Sequence, residues 1–70
     1  MKLGNNLKEL RKKRGWTQAA LAELVGVSRK TINTVENGIF VPSTLLALSL
    51  ARMLDSTVED VFYLRSENKK

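Results

Sequence analysis

The sequence contains no cysteine and no histidine. Disulfide staples are therefore excluded, and so are thiolate and imidazole metal ligands and a histidine general base. There are only seven Asp and Glu, not gathered at a shared site, and there is no glycine-rich phosphate loop. Seventy residues leave little room for a ligand pocket of about 300 Å3 or more. An enzyme is thus not expected, nor is a cofactor, a metal or a small-molecule ligand. No apolar run approaches the ~20 residues that cross a bilayer. Lys8, Glu9, Arg11, Lys12, Lys13 and Arg14 interrupt any signal-peptide core near the N-terminus. A staple-free domain of this size is expected in the cytoplasm.

What is present is positive charge, unevenly placed. The net charge is +5. Residues 1–41 hold eight basic and three acidic side chains, whereas residues 42–70 hold four of each. The excess therefore lies wholly in the first part, as in proteins that attract polyanions. Charge alone leaves a merely solvated surface as an equal reading. Hydrophobic residues make up 43%, enough for one modest core and one domain, residues 1–70.

Gly15, Gly26, Gly38, Pro42 and Asp55-Ser56 punctuate the chain, and apolar residues recur between them at helical spacing. The pattern predicts helices over about 5–14, 18–25, 29–37 and 44–54, with a short fifth one after Thr57. Leu3, Leu7 and Leu10 form the first stripe, and Leu21, Leu24 and Val25 face inward from the second. Thr17 and Ser28 suit N-caps, and Thr57 with Asp60 reads as a capping box. The expected fold is an all-α bundle of five helices. Phe62, Tyr63, Leu64 and Arg65 have strand character.

Residues 17–38 are the informative stretch. Two capped helices joined by a turn at Gly26 cannot lie antiparallel, so the second is pushed out as an exposed rod that fits a major groove. With Ile32 and Val35 inward, Lys30, Asn33, Thr34 and Asn37 face outward and Arg29 lies at the edge. Arg and Lys can pair with guanine, Asn with adenine, and a Thr methyl can touch thymine. Arg29 and Lys30 oppose the helix dipole in the first turn, at roughly 0.3–1 kcal/mol each. A local rule broken without structural gain is a functional flag. Lys12, Lys13 and Arg14 read as a solvated face, and Trp16 as a packing residue.

Residues 5–62 resemble the Cro/cI-type helix-turn-helix repressors, the xenobiotic-response-element group. The resemblance is carried by LKELRKKRGWTQAALAELVGVSRKTINTVENG and by VPSTLLALSLARMLDSTVEDVF. The stand-alone length is similar to compact dimeric repressors of the cytolysin-repressor type, which implies a lambda-repressor-like bundle with a small antiparallel sheet from the chain ends. The resemblance also implies roles. Arg29, Lys30, Asn33 and Thr34 would contact bases. Gln18, Ser28 and Asn37 would contact phosphates or position the helix. Arg11 and Glu36 would form a buried salt bridge. Read by themselves, Gln18 is equally an ordinary first-turn residue and Glu36 a solvated charge. Arg29 and Lys30 stand where several family members carry glutamine, so no operator follows.

The second half is rich in apolar side chains. Ala47, Leu50, Ala51 and Leu54 suffice for a core stripe, which leaves Leu45 and Leu48 over. This surplus predicts a partner. The expectation is a homodimer through about residues 44–66, with Leu45, Leu48, Val61, Tyr63 and Leu64 at the seam. Two copies of the third helix would then lie roughly 34 Å apart on duplex DNA. The leading expectation is a sequence-specific regulator, a repressor on a pseudo-palindromic operator. The alternative is an antitoxin or protein-interaction module that neutralises a partner and regulates itself through DNA.

Overall fold

The computed structural model describes residues 1–66. The chain runs β1 (Lys2–Asn5), α1 (Leu7–Lys13), α2 (Gln18–Val25), α3 (Arg29–Glu36), α4 (Thr44–Met53), α5 (Val58–Val61) and β2 (Phe62–Arg65). Among the described residues, five helices and a two-stranded antiparallel sheet make up the fold. Side-chain caps start four of the helices. Thr17, Ser28, Ser43 and Thr57 each accept a hydrogen bond from a backbone N–H in the first turn. Each satisfies a donor that the helix leaves orphaned, contributing roughly 1 kcal/mol. Thr57 and Asp60 complete a reciprocal capping box. Gly26 ends α2 at φ 77°, a left-handed conformation that glycine adopts without a Cβ penalty. The chain can therefore turn at once into α3.

The core draws on every helix. Leu7, Leu21, Ile32, Val35, Leu50 and Val61 are almost completely buried, and Ala22, Leu46, Ala51, Leu54 and Phe62 close around them. Full burial of each larger apolar side chain contributes about 1.5–3 kcal/mol.

The two ends pair in the register Leu3↔Leu64 and Gly4↔Tyr63. A Cβ at Gly4 would lie 2.3 Å from the Tyr63 ring, so a larger residue there would have to displace that side chain. Asn5 locks the ribbon to the bundle. Its Oδ1 accepts from Leu7 N at 3.0 Å, and its Nδ2 donates to the Val35 carbonyl at 3.0 Å. The last turn of α3 is thereby tied to the N-terminal strand.

Three expectations are corrected. Leu3 lies in β1 and does not extend the α1 stripe. Its helical spacing from Leu7 is overridden by pairing with a strand some 60 residues away. Leu24 is 47% exposed. It lies roughly 110° around α2 from the middle of the buried Leu21–Ala22 face, at about 100° per residue. Val61 is wholly buried in its own subunit's core, so it is unavailable to a dimer seam. Its helix is a single turn, too short for periodicity to reveal which side faces inward. Among the described residues, no helix is long and apolar enough to cross a membrane.

Candidate nucleic-acid interface

The α2–turn–α3 unit presents a polar face whose arrangement begins inside the protein. Arg11 of α1 and Glu36 of α3 form an ion pair, with Nε donating to Oε2 at 2.6 Å and Nη2 to Oε1 at 3.2 Å. Their side chains are only 8% and 2% exposed. The remaining Arg11 nitrogen donates to the Trp16 carbonyl at 2.8 Å. A buried charge left without partners would be expensive, but here the guanidinium and the carboxylate are both satisfied. The carboxylate on α3 is thereby neutralised and withdrawn from the surface.

Gln18 extends this network outward. Its Nε2 donates to Glu36 Oε1 at 3.0 Å. A carboxylate can only accept, so the amide must turn its NH2 inward and its carbonyl outward. That carbonyl accepts from Arg29 Nη1 at 3.3 Å and, at the long limit of 3.5 Å, from Asn33 Nδ2. With its amide nitrogen so directed, Asn33 offers Oδ1 to Asn37 Nδ2 at 3.2 Å. One buried carboxylate thus sets the donor and acceptor polarity of a chain of side chains across α2 and α3.

The sequence-predicted contact residues share this surface. Arg29, Lys30, Ser28 and Asn37 are exposed, and Asn33, Thr34 and Gln18 are half-buried. The Ser28 hydroxyl is engaged as the α3 cap and contacts the Thr31 hydroxyl. The Thr34 hydroxyl donates to the Thr31 carbonyl at 3.0 Å, which leaves its methyl for a ligand. The residues expected at a dimer seam, other than Val61, lie elsewhere, on α4 and β2. Leu45, Leu48, Tyr63 and Leu64 are all exposed.

Sequence reasoning missed three features. Arg14 is more than a solvated charge. It donates to the Leu54 carbonyl at 3.0 Å and stacks over Trp16, 5.6 Å from the ring centroid. Asn5 supports the end of α3, and no local pattern signals a contact 30 residues away. Ile39, Phe40 and Val41 form an exposed apolar turn after α3. Three successive apolar residues between Gly38 and Pro42 were the available signal.

The helix-turn-helix family model matches residues 7–61. An uncharacterized HTH-type transcriptional regulator of Bacillus subtilis, YgzD, is 47% identical over 64 residues, covering 91% of this chain and 97% of that protein. The crystal structure of the restriction-modification controller protein C.AhdI from Aeromonas hydrophila superposes with a TM-score of 0.73. It is 37% identical and spans 77% of this chain and 82% of its own. The biofilm master regulator SinR, crystallised in complex with DNA, gives a TM-score of 0.70 at 28% identity, over 76% and 86% of the two chains.

Proposed function

The chain belongs to the Cro/cI-type helix-turn-helix family of DNA-binding transcriptional regulators, and from that membership we propose that it is a sequence-specific repressor acting as a homodimer on a pseudo-palindromic operator. Within it, residues 17–38 read DNA and the region about 44–66 joins two copies. Helix α3 enters the major groove. Arg29, Lys30, Asn33 and Thr34 meet base edges, while Gln18, Ser28 and Asn37 hold the register through phosphates. Arg29 and Lys30 also supply the attraction that makes binding salt-dependent. The site of action is the cytoplasm, where the operator is.

One observation carries this reading. The outward face of α3 is polar and carries cations but no carboxylate, because the helix's one carboxylate, Glu36, is buried against Arg11 and Gln18. Phosphate repulsion is removed where DNA must approach. The dimer reading rests on Leu45 and Leu64, at 76% and 70% exposure, with Leu48 three residues along α4 from Leu45 and Tyr63 next to Leu64 in β2. A two-fold pair would present two α3 helices to successive major grooves.

Selection of bound duplexes from a random pool tests both parts. The expected product is an inverted repeat with half-sites centred about 10 base pairs apart. A pool that shows no enrichment contradicts DNA reading, and an enriched but unsymmetrical single site contradicts the dimer.

A further inference from the structure

The turn after α3 carries Ile39, Phe40 and Val41 at 75%, 47% and 68% exposure. Three apolar side chains in succession at a soluble surface call for a covering partner. The turn does not project freely. The Ile39 and Phe40 amides both donate to the Thr34 carbonyl, at 2.9 and 3.2 Å. That fold-back sets Ile39 and Phe40 along one shallow recess with Ser28, Lys30, Thr31 and Thr34. The apolar wall is therefore continuous with the face assigned to base reading. The Thr34 methyl adds to it, since the hydroxyl is held by Thr31.

What fits such a recess is apolar at one small spot and offers hydrogen-bond acceptors close by, because Lys30 lines the same hollow. Thymine in a duplex has this chemistry. Its C5-methyl projects into the major groove, where neighbouring base edges offer acceptors such as guanine O6 and N7 that a lysine can reach. We propose that Ile39 is a specificity-determining residue that packs against a thymine C5-methyl in each half-site. The recognition surface then extends past the end of α3 onto the turn. This inference rests on the DNA-binding reading above.

The test removes single methyl groups. A duplex obtained by selection is resynthesised with each thymine in turn replaced by deoxyuridine. Each version is titrated with the wild-type protein, Ile39→Ala and Ile39→Lys, followed by fluorescence anisotropy. At one thymine per half-site the wild type loses about fourfold in affinity, the size expected for one buried methyl-sized group. Ile39→Ala binds the unmodified duplex more weakly by a similar factor and is indifferent to that replacement. Ile39→Lys is also indifferent to it, but binds all duplexes at least as tightly as Ile39→Ala because it adds a phosphate partner. Both variants retain the wild-type melting temperature, since the position is exposed. A wild type insensitive at every thymine overturns the proposal. So does an Ile39→Ala protein that keeps the full deoxyuridine effect, which would place Ile39 against sugar alone or away from DNA. If no duplex can be selected at all, the DNA-binding reading fails as well, which distinguishes the two failures.

Discussion

Helices α3 and α4 follow one another in the chain, yet they treat solvent in opposite ways. Outside its buried Ile32 and Val35, α3 turns only polar side chains outward. Helix α4 buries Leu46, Leu50 and Ala51 and still leaves Leu45 and Leu48 exposed. The polar face is organised from within, by a carboxylate that orients Gln18 and, through it, Arg29 and Asn33. The apolar surplus has no such organising group. The difference matches the two interfaces proposed above, which have different requirements. One must present fixed donors and acceptors to a patterned ligand, and the other needs only shape and dryness.

The comparison can be broken first at the organising pair. Arg11→Ala strands the Glu36 carboxylate in the interior and is expected to cost about 3–5 kcal/mol of folding stability. Urea unfolding measures this, and Arg11→Met with Glu36→Leu should recover most of the loss. A wild-type midpoint for the single variant would show that the pair is not what holds α1 to α3. The α4 side should behave differently. Leu48→Glu is expected to leave the monomer folded but to weaken self-association by ~2 kcal/mol or more. Sedimentation equilibrium reads that change, and a variant that stays at twice the 7.9 kDa chain mass would move the seam elsewhere.

A third substitution sharpens the polar side. Lys30→Ala should lose about 1–3 kcal/mol on the selected operator and much less on random duplex. Equal losses on both would make Lys30 a phosphate contact. The smallest effect compares two matched serines. Ser28→Ala and Ser43→Ala each remove an N-cap and should each lower stability by about 1 kcal/mol. Only the α3 cap should also weaken DNA binding. If both or neither do so, the division between the halves is wrong.

The helices were legible in the sequence because their signals are local. Thr17, Ser28 and Thr57 each stand one residue before a helix, and Gly26 marks the turn between α2 and α3. Where the decisive contact is distant, local signals mislead. Leu3 matches helical spacing but is claimed by Leu64 across the sheet. Val61 looked available for a seam because one turn of helix does not fix an inward side. At the candidate site, residue types and faces could be read from the 100° phase of α3. The direction of the amide chain could not, since it depends on Glu36 meeting Gln18 across two helices. Asn5 gave no hint of its bond to the Val35 carbonyl for the same reason.

The proposed reading has DNA meet the protein at the outward face of α3, and an NMR titration with a selected duplex tests this residue by residue. The account predicts the largest shift changes at Gln18, Arg29, Lys30, Asn33 and Thr34, with α4 and β2 nearly unmoved once the dimer has formed. Changes concentrated on α4 and β2, with the α3 signals unaltered, would contradict it.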